Sequence, residues 1–497
     1  MRSFLCSLVV LFALNSSAQF EDELEQICED FELMGMSVVT ICDGEIDRTF
    51  HCGLKDFTRW LSVDDSTMYR IASISKSITA TGFMLLYDDG LFEFDDDISD
   101  HLGYLVRNPN YPDTPITVGM VLSHQSSLQD GDGYSPFLTA TYASDPVNIS
   151  EVLLDDGNYY TSNMWRLEEP GTYFAYSNIN FGLAATLMEA ISGERFDQFM
   201  KAHLFEPMGL AGSYNVADIE NIDNLAVLYR NQGGWTPQVD NYQGNAPSQP
   251  NLPDYVPGTN GSRFAPQGGL RMSAIDLAKL AQLHLNGGMW EDSQLIEQST
   301  IELMHSLQWT DNGSNGDDYY NLFNQWGYGI QSTINSPGGD IVVDGKTMYG
   351  HPGEAYGLIS DWYFEKVDKA GIVFLTNGAY DGFSWGNYSA FYTLEEAIFT
   401  TFEDHAYDVC AVSVKDKPEQ IVSIYPNPTS DLIRISLPSA HEQFQIEIFD
   451  MCSRLIGGHT IAGSQTAQVD CQEFVPGTYL IKVYNENFAW SDSLIIK

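Results

Sequence analysis

Positive charge is what this chain has least of. Its 497 residues carry 23 Lys and Arg against 68 Asp and Glu, a formal net charge of −45. Nucleic acids and anionic membranes are held by basic footprints, so neither is expected as a partner. Long apolar runs are also lacking. Beyond the N-terminal stretch nothing approaches the length of a transmembrane segment. Metal-binding patterns are missing too: the 10 histidines show no His-x-His or His-Glu-x-x-His spacing, and no cysteine pair has ligand spacing. No metal or other cofactor is therefore expected. Gly345-Lys346-Thr347 suggests a phosphate loop, but Gly339 stands one residue too far upstream.

What is present begins with an export signal. Arg2, an apolar stretch from Phe4 to Leu14, and Ser16-Ser17-Ala18 before Gln19 read as a signal peptide over residues 1–18. Six cysteines follow it: Cys28, Cys42, Cys52, Cys410, Cys452 and Cys471. In an exported chain these permit disulfides in many pairings. Cys452 with Cys471, inside one small domain, is the pairing expected here.

The length favours two or three domains. Residues Glu21 to Met34 read as a helix, followed by strands Ser37–Ile41 and Ile46–Phe50 around the Asp43-Gly44 turn signal. Helices are expected at Ser73–Tyr87, Val118–Leu122, Phe181–Ser192, Phe196–His203 and Ala274–Leu285, then a strand at Gly371–Thr376 and a last helix at Leu394–Phe402. Strands at both ends with helices between predict an α+β fold. Its antiparallel sheet is built from the two termini, flanked by terminal helices, with an inserted helical lobe. The Pro-, Asn- and Gly-rich stretch Asn215–Phe264, carrying Tyr229, Trp235, Tyr242 and Tyr255, reads equally as a pocket wall or as a solvated insertion whose aromatics simply pack. Residues 411–420 read as a polar linker between a domain at 19–410 and a second at 421–497. Period-two patterning in Ile433, Ile435 and Leu437, then Phe444, Ile446 and Ile448, predicts a small β-sandwich there.

Three short motifs carry chemistry. Ser73-Ile74-Ser75-Lys76 opens an apolar helical run, placing a hydroxyl and an amine on one helix face, with Cβ atoms about 5–6 Å apart. A serine at a helix start also has free N–H groups and the positive dipole end to stabilise an oxyanion. Tyr176-Ser177-Asn178 offers a phenol that shares a proton with a lysine, and an amide that both donates and accepts. His351-Pro352-Gly353, followed by Glu354, offers a glycine-bearing strand that substrate backbone can approach. Asp130-Gly131-Asp132-Gly133 reads as a turn in preference to a calcium site.

In this order and spacing the three motifs resemble the serine β-lactamase and penicillin-binding-protein superfamily. Further stretches share the resemblance: Leu122-Ser123-His124-Gln125-Ser126-Ser127-Leu128, Pro170-Gly171, Phe205-Glu206-Pro207-Met208-Gly209-Leu210, Gly268-Gly269-Leu270, Trp326-Gly327-Tyr328-Gly329 and Leu375-Thr376-Asn377. Tyr-x-Asn and His-x-Gly are most similar to the class C β-lactamase-like group of D,D-peptidases, esterases and amidases. The resemblance implies Ser73 as acylated nucleophile, Lys76 as proton acceptor or electrostatic partner, and Tyr176 as general base. It implies that Asn178, His351, Gly353 and Glu354 bind substrate, with the N–H groups of Ser73 and Glu354 forming an oxyanion hole. The third motif of true β-lactamases is usually Lys-Thr-Gly, and His351 is a poorer cation at neutral pH, which argues against efficient penicillin hydrolysis. Glu354 stands where many relatives have a second glycine and disfavours anionic substrates. The implied function is a serine hydrolase acting on a small-molecule or peptide amide, ester or β-lactam. The alternative is a non-catalytic peptide- or glycan-binding surface protein on the same fold.

The C-terminal part resembles the sorting domain of the Bacteroidetes type IX secretion system. Tyr425-Pro426-Asn427-Pro428 with Asp431, Pro476-Gly477-Thr478-Tyr479, and terminal Ile495-Ile496-Lys497 are the matching residues. That resemblance implies the outer-membrane secretion machinery as a partner, and a secreted or cell-surface product.

Overall fold

The computed structural model describes residues 19–497 apart from 144–146, 248–251, 253, 409, 411–421, 426–428, 430–431, 438–442, 451–453, 463–465, 472–473 and 486–487. The signal peptide, the linker and residues 426–428 and 431 of the sorting motif lie outside the described residues. The chain divides into two compact units, residues 1–411 and 412–497.

The first unit is organised on a nine-stranded antiparallel sheet. From one edge its strands are Trp309–Thr310, Gln325–Trp326, Gln331–Ser332, Tyr349–Ala355, Leu358–Glu365, Ala370–Thr376, Gly35–Cys42, Glu45–Asp56 and Leu61–Ser62. Asp43 and Gly44 both take positive φ (54° and 79°), the twist a tight hairpin requires. Gly35–Cys42 then pairs on its other side with Ala370–Thr376, with Met36 opposite Thr376. The two ends of the unit thus share one sheet. Leu358–Glu365 is buried along its whole length because both faces are covered. On one face the Trp362 indole donates to Leu277 O in the helix Ala274–Leu285; on the other Tyr363 packs on Phe391 and on Phe399 of the helix Thr393–Phe402.

The helix expected over Glu21–Met34 ends at residue 30. Glu32 turns to φ 46°, and Met34 N already donates to Gly378 O at 2.8 Å, so the chain has joined the sheet region. Phe196–His203 is a helix at Phe196–Met200 that loosens into a wider turn over Lys201–Phe205. The lobe between the sheet segments includes the helices Ile74–Asp88, Val118–Leu122 and Asn178–Ser192. Ile74–Asp88 is buried on nearly every side, packed against Asn178–Ser192 and against the strand Tyr349–Ala355. Its polar residues Ser75, Lys76, Ser77, Thr79 and Thr81 are held inside the protein, while Asp88 at its end is exposed.

Disulfides join Cys28 to Cys52 and Cys42 to Cys410. Of the expected Cys452–Cys471 pair, Cys452 lies outside the described residues.

The second unit has a three-stranded sheet (Ser423–Tyr425, Leu432–Ser436, Thr466–Asp470) and a four-stranded sheet (Leu455–Ala462, Gln443–Asp450, Gly477–Asn485, Phe488–Ile496). Ile433 and Ile435 of the first join Phe444, Ile446, Ile448, Ile481 and Val483 of the second in one core, the arrangement of a small β-sandwich. Among the described residues no helix is long and apolar enough to cross a membrane.

Candidate active site

Ser73 is placed by what precedes it. The short strand Met68–Arg70 pairs with Arg271–Ser273, and Ile71 N donates to Leu270 O at 3.0 Å, which fixes the chain up to the helix. Ala72 then turns through φ 48°, a left-handed conformation that costs a non-glycine residue about 1 kcal/mol. Ser73 caps the helix Ile74–Asp88 through its backbone alone, because its side chain makes no cap hydrogen bond. The hydroxyl is left for other partners.

Lys76, one turn along, is fully buried. Its Nζ lies 3.0 Å from Ser73 Oγ, 2.9 Å from Asn178 Oδ1 and 2.8 Å from Gln267 O. Those acceptors match the three protons of an ammonium. Burial works the other way and pulls the amine down to about 7, with Asp130 the opposing charge. Lys76 therefore exchanges its proton near neutral pH, and Ser73 is the neighbour that can supply one.

Tyr176-Ser177-Asn178 enters the site at the start of the helix Asn178–Ser192. Asp130 caps that helix, accepting from Asn178 N at 2.9 Å, Ile179 N at 2.9 Å and Asn178 Nδ2 at 2.8 Å. With its Nδ2 on Asp130, Asn178 must turn Oδ1 to Lys76. Its amide thus serves the lysine, and it is not among the residues that line the cleft. The turn expected at Asp130-Gly131-Asp132-Gly133 holds a residue that orients the site.

The Tyr176 hydroxyl hydrogen-bonds with Ser73 and lies 3.4 Å from His351 Nε2, while Lys76 Nζ stands 4.8 Å from the centre of its ring. Burial pushes the phenol well above its ordinary value, so it stays protonated. His124, in the Leu122–Leu128 stretch, supports it with ring centres 4.7 Å apart. Its Nδ1 accepts from Ser177 N and Asn180 Nδ2, both at 3.3 Å, which puts its proton on Nε2. Nothing in the spacing of the sequence marked His124 as the post behind Tyr176; its φ of 59° is visible only in the fold.

His351 lies on the strand Tyr349–Ala355. Its Nδ1 is 2.5 Å from Pro352 O, a group that only accepts, so the proton sits on Nδ1 and Nε2 offers a lone pair to Tyr176. Burial, and then the charge of Lys76, pull His351 down to about 3. It is a neutral acceptor here. Gly353 lets this strand close on the nucleophile: a Cβ there would come within 2.4 Å of Ser360 Oγ and 2.8 Å of Ile71 O. Glu354 is exposed at the rim, and its Oε2 accepts from the Tyr392 hydroxyl at 2.8 Å.

Ser73, Tyr176, His351, Gly353 and Glu354 line one cleft of about 150 Å³. Its remaining walls come from Tyr319, Leu322 and Phe323 and from Trp385, Phe391, Tyr392 and Glu395. Of the two readings of Asn215–Phe264 the pocket wall is overturned and packing holds: no described residue of that stretch lines the cleft. Tyr229 is buried against Met34 and Val227, the Tyr255 hydroxyl donates to Glu189 at 2.6 Å, and Asp240 pairs with Arg271 at 2.8 Å. These aromatic and charged groups are used within the protein itself. A larger cavity of about 820 Å³, with His284, His305 and Lys366 in its lining, contains none of the predicted site residues. Among the described residues no group of His, Cys, Asp and Glu is placed to hold a metal ion.

A serine and lysine one helical turn apart, faced by a tyrosine and a glycine-bearing strand on an α+β fold, define the class. Residues 20–390 match the model of the β-lactamase family, and the chain belongs to it. Residues 423–497 match the secretion system C-terminal sorting domain. The chain is 23% identical over 367 residues to penicillin-binding protein 4 of Amycolatopsis lactamdurans, covering 73% of this chain and 85% of that protein. Two solved structures share the fold. The octameric penicillin-binding protein homologue from Pyrococcus abyssi superposes with a TM-score of 0.58 at 18% identity, covering 97% of this chain and 96% of that one. D-amino acid amidase from Ochrobactrum anthropi SV3 in complex with D-phenylalanine gives 0.57 at 19% identity, covering 80% and 99%.

Proposed function

We propose that the protein is an exported serine hydrolase that acts on an amide, ester or β-lactam through an acyl-enzyme on Ser73. The observation that carries this reading is the 3.0 Å contact between Lys76 Nζ and Ser73 Oγ, with the amine held near 7 by burial. A lysine near 7 is a base at working pH, whereas a phenol raised by burial is not. Lys76 therefore takes the proton of Ser73 as Oγ bonds to the substrate carbonyl carbon. The oxyanion that forms faces the N–H groups of Ser73 and Glu354 at the helix start and the strand edge. Tyr176 shares its proton with His351 Nε2 and passes one to the leaving group, Lys76 replacing it. Water then attacks the acyl carbon and gives a proton to Lys76; the bond from the acyl carbon to Oγ breaks, Oγ takes that proton back, and the acid leaves with Ser73 restored.

The neutral His351 supplies no cation for a substrate carboxylate, which supports amides and esters over penicillins. The sorting-domain match and the signal-like N-terminus support export to the cell surface or exterior. A panel of nitrocefin, p-nitrophenyl esters and D-Ala-D-Ala peptides, comparing wild type with Ser73→Ala, tests the reading. Turnover of an ester or amide that disappears in Ser73→Ala is expected, with nitrocefin the poorest substrate. A folded protein that turns over none of them would leave the fold as a binding module.

A further inference from the structure

We infer that the cleft selects substrates bearing a protonated amine, an inference that rests on the reading of Ser73 as the nucleophile. One wall of the cleft combines open aromatic rings with the Glu354 carboxylate. Trp385 is 62% and Tyr319 47% exposed, and both line the cleft beside Glu354. The rings of Trp385 and Tyr392 are centred 5.8 Å apart, and Tyr392 holds Glu354 by one oxygen. The other oxygen of Glu354 has no donor among the described residues. Deeper in the wall stands Glu395, which also lines the cleft. Behind it Asp361 is fully buried and hydrogen-bonded to the Glu395 carboxyl.

No Lys or Arg is among the residues lining the cleft, and Lys76 beneath it is engaged with three acceptors. An ammonium at this wall gains a carboxylate partner and the faces of aromatic rings together. A carboxylate there would meet Glu354 with no cation to offset the repulsion.

The test uses three p-nitrophenyl esters that differ only at the far end of the acyl chain: 6-aminohexanoate, heptanoate and adipate. In low salt the wild type is expected to show kcat/KM highest for the ammonium ester, about tenfold above the methyl ester, and lowest for the carboxylate. In Glu354→Gln the ammonium-to-methyl ratio is expected to fall toward one, and Trp385→Ala to lower it as well. Because each variant is compared with itself, a general loss of activity does not move the ratio. A wild-type ratio at or below one, or an unchanged ratio in Glu354→Gln, overturns the inference while leaving Ser73 hydrolysis intact. Should no ester be turned over, the proposed function falls, and calorimetry with hexylammonium and hexanol decides the selectivity separately. Tight hexylammonium binding that weakens about tenfold in Glu354→Gln supports it; equal binding of the two compounds overturns it.

Discussion

His351 turns its Nε2 to the Tyr176 hydroxyl at 3.4 Å while its Nδ1 is fixed on Pro352 O at 2.5 Å. The ring is thereby a neutral acceptor, and the cleft keeps Lys76 as its titrating amine. Replacing it by a cation changes both facts. His351→Lys is expected to raise kcat/KM for carboxylate-bearing substrates such as nitrocefin about tenfold relative to a neutral ester. It also pushes Lys76 lower, moving the acidic limb of the pH profile down. Steady-state kinetics on the two substrates from pH 5 to 9 checks this.

The pH dependence of the unmodified enzyme follows from Lys76. A lysine amine ordinarily titrates at 10.5 and this one at about 7, so the amine must lose its proton to act as base. kcat/KM is expected to rise with pH up to about 7 and then level, with about a hundredfold loss at pH 5. The stability sign follows from the same shift. Between about 7 and 10.5 the unfolded chain binds more protons than the fold, so this group makes stability rise with pH across that window. Lys76→Met removes the base and the buried amine together; it is expected to be inactive and to melt higher.

Asp130 acts through two others. It caps the helix Asn178–Ser192 and its charge raises Lys76. Asp130→Ala is expected to cost about 1 kcal/mol of stability, to lower kcat about tenfold or more through a loosened Asn178, and to shift the acidic limb to lower pH. Denaturant titration and the pH profile of the variant read these effects independently.

The buried pair of Asp361 and Glu395 titrates in the opposite sense. Burial, with the charge of Glu354 added, pushes Glu395 up to about 8, and Asp361 is also raised. The fold holds a proton there that the unfolded chain releases above the ordinary carboxyl value of 4.5. Stability from this source is present below that value and lost as pH rises through about 8. Glu395→Gln is expected to gain on the wild type as pH goes from 5 to 9, measured by denaturant midpoints at several pH values.

The Cys42–Cys410 bond closes a loop spanning 368 positions, against 24 for Cys28–Cys52. Cys42→Ser with Cys410→Ser is expected to cost about 2–5 kcal/mol, and more than the loss of the shorter loop. Thermal melts with and without reductant, on each double variant, compare them.

Much of this site was legible because it is written in local spacing. Ser73 with Lys76, Tyr176 with Asn178, and His351 with Gly353 are each fixed by one turn of helix or one strand. Helix positions followed from apolar periodicity for the same reason, as at Val118–Leu122, where expectation and structure coincide. What the sequence did not carry depends on long-range closure. Asp130 reaches Asn178 across 48 positions, and Tyr392 reaches Glu354 across 38. The walls at Tyr319–Phe323 and Trp385–Glu395 are recruited by the order of strands in the sheet. Conversely, the aromatic residues of Asn215–Phe264 carry no mark of whether they meet a substrate or the protein. Tyr229 and Tyr255 meet the protein.

Every step of the chemistry requires Ser73 to be the activated hydroxyl. Reaction of the folded protein with a fluorophosphonate, followed by proteolysis and mass spectrometry, is the most direct measurement of it. The predicted result is a single added mass on the peptide containing Ser73, absent in Ser73→Ala and formed far more slowly in Lys76→Met. Labelling at another residue, or equal rates in wild type and Lys76→Met, would contradict it.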